Sequence, residues 1–411
     1  MSESLHQHIN RLYRQHSGQM LAYLCSIFSD IDFAEEIWHE VIAECFDKWQ
    51  NGLPDKPSAW LKTAARNKAI DKLRHQQMSL QKAGLIKSLL CESDGSTLQE
   101  IDFADEQLKL IFCCCHPALE LDKQVPLTLN IICGLKTHEI AAALLVNVKS
   151  LEQRLTRTKN KIKQAGIPFS IPEPKELPQR LNGVLKTIYL LFNHGVNHPN
   201  DEYKLQDAAI RLTQLMNRML PHHAELNGLL ALMMFHRARS EARFDEAGNF
   251  IPLSLQDRAL WNTELIGNAD KLLQQTMKQQ QIGSYQLQAA IQGLHCLATT
   301  PETTDWQQIE GLYGLLVRIE PSPVIELNAA VAAIMAGHLL RARELIERLS
   351  KVKEIQQYSA LYVAKAELFL KLENIPDSIR NFEKAIALCQ VIHEKNYLNS
   401  KLASLKNTLS H

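Results

Sequence analysis

The sequence predicts an all-α protein. Apolar residues recur at helical spacing along nearly the whole chain, and no stretch shows the period-two alternation of a half-buried strand. Gly and Pro are scarce, 16 and 15 in 411 residues, while Leu, Ala, Lys and Gln are common, a mix that favours helix. The few Pro-rich stretches fall between the periodic segments, where helices must end. The length allows two or three domains, and an apolar content of 45% is that of an ordinary folded chain. No run of about 18 apolar residues occurs, so no membrane span is expected. The first residues, MSESLHQHINRLYRQHSG, lack the apolar core of a signal peptide, so a cytoplasmic location is expected. Nine cysteines, an odd number without even spacing, predict free thiols rather than a disulfide framework.

The net charge of zero, 45 basic against 45 acidic residues, hides segregation. Asp30–Asp55 holds eight acidic residues and one basic; Lys56–Lys87 holds eight basic and one acidic. Glu92–Glu106 holds six acidic and no basic residues, and Lys149–Lys163 six basic and one acidic. Blocks of alternating sign predict separate surfaces for separate partners.

Helical patterns cover Ser4–Phe28, Phe33–Gln50 and Ser58–Gln77, the last two parted by the loop NGLPDKPS (Asn51–Ser58). In the second, DFAEEIWHEVIAECFDKW, the residues Ile37, Val41, Ala43 and Phe46 form a core stripe. Glu36, His39 and Glu40 then lie on the other side, open to a basic protein partner. In the third, Trp60, Leu61, Ala64, Ala65 and Ile70 line an inner face. Arg66, Asn67, Lys68, Lys72 and Arg74 make an outer basic face able to track a nucleic-acid backbone. Ser79–Asp105 reads as a flexible acidic connector with room for a short helix at Leu80–Leu90.

A compact helical segment follows from Asp105 to Gly166. It holds IFCCCHPAL, three cysteines and a histidine in a row. Consecutive residues on a helix point about 100° apart, so Cys113, Cys114 and Cys115 cannot converge on the tetrahedron that zinc requires. No basic neighbour in sequence other than His116 favours a thiolate, and packing is the expected role. Further on, Thr137 caps a short helix carrying Ile140, Ala141 and Leu144. Ser150-Leu151-Glu152-Gln153 forms a capping box for the next helix. Leu151, Leu155 and Ile162 face inward, leaving Gln153, Arg154, Arg157, Lys159 and Lys161 exposed. Two short helices joined by a tight turn, the second basic, predict a helix-turn-helix, although Leu145 stands where such turns commonly carry Gly. Arg can bind guanine edges or phosphates and Gln can read adenine.

IPFSIPEPKELP (Ile167–Pro178) has four prolines in twelve residues and marks a domain boundary. A long helical array follows, interrupted by FDEAGNFIPLSLQD (Phe244–Asp257). Near its end Ala336–Leu349 lies over Leu372–Ala385 with an offset of 36 residues: Gly337 falls on Glu373, His338 on Asn374 and Ala342 on Ser378. That period is close to the tetratricopeptide repeat. His222-His223 falls in a loop, and Asp305 starts a helix at Trp306. Arg237, Arg239 and Arg243 precede the irregular insert, with Gln256-Asp257-Arg258 after it, a set suited to a buried network or an interaction site. No catalytic or cofactor-holding constellation appears.

DFAEEIWHEV, a Pro-containing loop, AWLKTAARNKAIDKLR, an acidic linker and a basic helix-turn-helix occur here in order. Together they resemble the extracytoplasmic-function group of the sigma-70 family, the bacterial initiation factors of RNA polymerase, over about Leu5–Gly166. The remainder resembles a long subgroup with a tetratricopeptide-like C-terminal extension, through DEQLKLIFCCCHPAL, GSYQLQAAIQGLH, TDWQQIEGLY and SPVIELNAAVA. The resemblance implies sigma region 2 over residues 1–77, a linker over 78–104, region 4 over 105–166, a Pro-rich linker over 167–178 and a helical regulatory domain over 179–411. It implies core RNA polymerase and promoter DNA as partners and no catalysis by the chain itself; the size of the C-terminal extension and its lack of a DNA-binding signature lead to the expectation that it regulates the factor, by holding a regulatory protein or by folding against the sigma domains. By residue, it implies polymerase binding by Glu36, His39 (where the family usually has Gln) and Glu40. Arg66, Asn67, Asp71 and Arg74 would read the −10 element, and Lys149, Ser150, Gln153, Arg154 and Arg157 the −35 element. A competing reading is a one-component regulator in which the helix-turn-helix alone binds duplex DNA and the C-terminal domain senses a ligand; it leaves AARNKAIDKLR unexplained.

Overall fold

The computed structural model describes residues 5–50, 52–75, 103–144, 146–196, 205–246, 248–389 and 391–409. Among them all regular structure is helical apart from an isolated bridge between Phe244 and Phe250, as the all-α expectation required. The connector from 78 to 102, with the short helix expected at Leu80–Leu90, and Leu145 lie outside the described residues. The chain forms two compact units. The first holds the chain to Gly195 together with a stretch ending at Leu215, and the second holds Met216 onward.

In the first unit, α1 (Leu5–Phe28), α2 (Ile31–Lys48) and α3 (Pro57–His75) pack on one another. Ser29 turns the chain at φ 55°, and Asp30 caps α2, accepting from the backbone N–H of Asp32 and Phe33. Ile37 and Val41 are buried as their spacing predicts, but Ala43 is exposed and Phe46 half-buried. The stripe runs instead through Ala34, Trp38, Val41 and Cys45, a closer fit to the helical repeat. Trp38 supplies the bulk, and inside the core its indole N–H donates to Ser17 Oγ at 2.9 Å.

α4 (Phe103–Cys114), α5 (Leu121–Ile131), α6 (Thr137–Ala143) and α7 (Val148–Gln164) follow. α1 packs against both α4 and α5. A Cβ on Gly18 would stand 2.4 Å from the carbonyl oxygen of Ile132, so this crossing needs glycine. Two caps differ from expectation. α7 starts at Val148, and its cap is Asn147, whose side chain accepts from the Ser150 N–H at 3.2 Å. Asn caps as well as Ser, and its earlier position adds most of a turn. Thr137 lies inside the first turn of α6, where Glu139 reaches back to the Lys136 N–H at 2.9 Å.

The cysteine run closes α4 in a crowded place. Cys113, Cys114 and Cys115 are 0, 0 and 2% exposed. Cys115 Sγ lies 3.7 Å from Thr128 Oγ1 on α5. From α8 (Leu177–Val196), Gly183 approaches the Cys115 carbonyl, and Arg180 donates to the Phe112 carbonyl at 2.5 Å. Small side chains pointing in three directions let these helices close around α4. Arg180 is a basic neighbour that the local sequence does not reveal. Burial nevertheless dominates, pushing the Cys113 thiol to about 12 and Cys115 to about 11. Leu181, Val184, Leu185, Ile188 and Phe192 give α8 a buried face that continues this core. The Pro-rich stretch 167–178 therefore lies within the first unit, which also takes in α9 (Leu205–Met219) as far as Leu215.

In the second unit, α10 (Ala224–Ala238) packs against α11 (Thr263–Met277) and α12 (Ser284–Leu297). Glu225 accepts from the N–H groups of Tyr285 and Gln286 at the start of α12. His223 precedes α10 and caps it. α13 (Trp306–Ile319) starts at Asp305, whose carboxylate accepts from the Gln308 N–H at 2.8 Å, as expected.

Two helical hairpins follow: α14 (Pro323–Met335) with α15 (Leu339–Leu349), then α16 (Ser359–Lys371) with α17 (Ile375–Leu388). α14 and α16 start at 323 and 359, α15 and α17 at 339 and 375, so both recur at 36 residues. Gly337 and Glu373 share a left-handed backbone, at φ 84° and 58°. His338 and Asn374 occupy equivalent caps, and Ala342 and Ser378 are both fully buried. The last helix, α18 (Ile392–Leu409), packs on α17.

Candidate nucleic-acid interface

α7 divides its residues cleanly. Leu151, Leu155, Thr158 and Ile162 are buried; Lys149, Ser150, Gln153 and Arg157 are exposed. With half-buried Arg154 they form one stripe along the N-terminal half of the helix, so the structure brings together all five residues expected to meet the −35 element. Arg154 also reaches Asp122, at 3.6 Å from its carboxylate. Such a stripe presents guanidinium, ammonium, hydroxyl and amide donors to a groove or a phosphate row.

The C-terminal half of α7 is engaged inside the unit. Lys159 was expected on the exposed face, but its side chain is only 11% exposed and pairs with Glu35, itself 16% exposed, with Asp32 at 3.7 Å. Lys163 binds Asp30 at 2.7 Å, and Lys161 donates to the Ala118 carbonyl at 2.5 Å. Burial tends to raise the Asp30 carboxyl, but the Lys163 ammonium and the backbone N–H groups of Phe33 and Asp32 outweigh it and hold Asp30 below its usual range.

On α3 the expected outer face is split. Asn67, Asp71 and Arg74 are exposed, with Arg74 3.9 Å from Asp71. Arg66 is half-buried, and its Nε has no hydrogen-bond partner among the described residues. Lys68 and Lys72 turn toward α2 instead. Lys72 bonds Glu36 at 2.7 Å and Glu40 at 2.8 Å; Lys68 lies 3.5 Å from Glu40. The two carboxylates raise the Lys72 ammonium, and Lys72 in turn lowers Glu40. A surface groove of about 370 Å³ runs between the two helices beside Glu44, Trp60, Asn67 and Asp71. Of the residues expected to meet a polymerase, His39 is exposed beside Tyr13, with Nε2 3.4 Å from the phenol, while Glu36 and Glu40 sit in the lysine clamp. Glu35, Asp30 and Lys72 thus act in this region without having been singled out as pairs. Their only sequence signal is opposite sign, far apart in the chain.

No group of three or more His, Cys, Asp or Glu residues able to hold a metal occurs among the described residues, and no helix there is long and apolar enough to cross a membrane.

A model of sigma-70 region 2 matches residues 12–78, which take in nearly all of α1 to α3. A second model, of a family of unknown function (DUF6596), matches residues 180–277, from α8 through α11. The uncharacterized protein R00370 of Rhizobium meliloti (strain 1021) is 36% identical over 398 residues, 94% of this chain and 93% of its own length. No solved structure matches. The chain therefore belongs, over nearly its whole length, to one family with the Rhizobium meliloti protein, and its first three helices match sigma-70 region 2.

Proposed function

We propose that the protein is an extracytoplasmic-function sigma factor, which binds core RNA polymerase in the cytoplasm, recognises −10 and −35 promoter elements and starts transcription. The region 2 match carries this reading, because a sigma factor is defined by that domain's work on polymerase and DNA. In this assignment Glu36, His39 and Glu40 meet the polymerase. Arg66, Asn67, Asp71 and Arg74 face the −10 element, and Lys149, Ser150, Gln153, Arg154 and Arg157 face the −35 element. The exposed stripe of α7 supports the last assignment. The helical array after Leu215 is a tetratricopeptide-like regulatory domain, supported by the 36-residue recurrence of its hairpins.

The test is reconstitution of the full chain with core polymerase on a genomic promoter library. Run-off products that need the chain and no other sigma factor support the proposal. Replacing Arg157 with Ala should weaken −35-dependent starts by about tenfold, the size of one lost base or phosphate contact. Failure to bind core polymerase would overturn it, and DNA binding without polymerase binding would favour a one-component regulator. A truncation that probes the extension should end at Leu215 rather than in the Pro-rich stretch, since α8 seals the cysteine-bearing helix.

A further inference from the structure

The second unit gathers positive charge in its interior. Arg239 ends α10 and is only 4% exposed; Arg243 follows a 3₁₀ turn; Arg258 enters from the irregular segment. The guanidinium carbons of Arg239 and Arg258 lie 5.8 and 4.4 Å from the centroid of one indole, Trp261, and that of Arg243 lies 5.8 Å from the Phe250 ring. The hydrogen bonds of the cluster go to neutral groups. Arg239 donates to Gln292 Oε1 at 2.6 Å, and Arg258 donates to the carbonyls of His295 and Ala298 at 3.0 and 2.5 Å, at the end of α12.

Among the described residues, no carboxylate forms an ion pair with Arg239, Arg243 or Arg258. Four buried donors there have no hydrogen-bond partner: the Nε atoms of the three arginines and the indole Nε1 of Trp261, itself 5% exposed. Burying cations and N–H groups without acceptors is costly, and structural arginines are ordinarily paired. The neighbours respond to the charge. Burial, then Arg239 and Arg258, lower His295 to about 4, and burial, then Arg239 and Arg243, hold His236 well below its usual value. Burial raises Glu394, whose charge Arg243 favours, and exposed Glu302 acts on Arg258 from outside, so each outer arginine has one carboxylate in its field and neither of these pairs closes into an ion pair. Stacking on Trp261 and the bonds to α12 use one face and one terminal nitrogen of Arg239 and of Arg258, and Arg243 lies over Phe250, so further guanidinium donors are left over. Arg243, Arg258 and Phe250 are half-buried, so the cluster reaches the surface.

We propose that Arg239, Arg243, Arg258 and Trp261 form a binding site for a small oxyanion, a carboxylate or phosphoryl group held by the forked guanidinium donors. The site lies wholly within the second unit and stands apart from the sigma reading.

The experiment titrates the full chain with inorganic phosphate and, separately, with succinate, against sodium chloride at matched ionic strength. It follows binding by calorimetry and the titration of His295 by NMR. The proposal expects saturable binding of at least one oxyanion, a rise in the His295 pKa on saturation, and at least tenfold weaker binding in Arg243→Gln. Which anion binds more tightly tells phosphoryl from carboxylate. Arg243 lies toward the surface; should its variant unfold, Arg258→Lys keeps the charge but loses the fork, and it should weaken binding by a similar factor. Equal responses to chloride and the oxyanions, or unchanged affinity in both variants, would show the arginines to be structural and overturn the proposal.

Discussion

Replacing Gly18 with Ala should destabilise the first unit, although an alanine in a helix interior normally stabilises. The normal gain is about 0.5–1 kcal/mol from reduced backbone entropy. At Gly18 the new methyl would meet the Ile132 carbonyl oxygen at 2.4 Å and the Gln107 side chain at 3.1 Å, against a practical minimum of 3.0 Å. α1 or the end of α5 must then retreat by at least 0.6 Å. The obstacle is backbone and cannot rotate away, and forced overpacking of this kind costs about 1–3 kcal/mol. The net expectation is a loss of about 1–2 kcal/mol. Gly267 in α11 and Gly311 in α13 have nothing within 4 Å of the corresponding position, so alanine there should stabilise by about 0.5–1 kcal/mol. The chain has two units, so a single melting curve would mix them. Hydrogen exchange read on peptides from α1 and α5 gives the first unit alone. If Gly18→Ala raised protection there as the controls do in their own helices, α1 would not cross α5 as described.

Three more outcomes follow from the same packing. Buried Cys113 and Cys115 hold their protons to about 12 and 11, whereas unfolded thiols ionise near 8.5. Their folded values are raised, so the stability they contribute is complete below about pH 8.5 and is lost as pH climbs toward 11–12. Urea midpoints of the first unit should fall across that window, less steeply in Cys113→Ala, and iodoacetamide at pH 8 should label these thiols only after unfolding. Asn147→Ala removes the cap of α7 and should cost about 1 kcal/mol, while Ser150→Ala should leave stability nearly unchanged, both read by exchange on α7. Glu373 occupies a left-handed position that its counterpart fills with Gly337, so Glu373→Gly should stabilise the second unit by about 0.5–1 kcal/mol in thermal melts, and Gly337→Ala should do the reverse.

The helices were legible because their apolar spacing is local. Ile37, Val41, Leu151, Leu155 and Ile162 are buried where the period put them. The start of α7 was misplaced by about a turn because Asn147 and Ser150 are both good caps, and only the backbone decides which is used. The repeat was read correctly at three positions, and its left-handed corner explains why Gly stands at one of them. Arg180 beside the cysteines could not be read, since it arrives from a helix 68 residues away from its bonding partner Phe112. Lys68, Lys72 and Lys159 are placed otherwise than expected for the same reason, each turning to a carboxylate of α2. A linear sequence gives the sign of a charge and not its neighbour.

That failure changes what the charge blocks mean. Separate acidic and basic stretches suggested separate external partners, yet the acidic helix α2 stands between two basic ones and serves both. Asp30, Asp32 and Glu35 at its start meet α7, and Glu36 and Glu40 meet α3. The two sets differ in what it costs to part them. Lys72 and its carboxylates are substantially exposed, and such pairs contribute about 0–1 kcal/mol each. Lys159 and Glu35 are largely shielded, and separating them strands two charges in a dry setting, which costs more. A partner that takes the outer carboxylates of α2 therefore displaces little, whereas one that needs the whole of α7 must first replace what Glu35 gives Lys159. The N-terminal stripe from Lys149 to Arg157 is the part of that helix available without such an exchange.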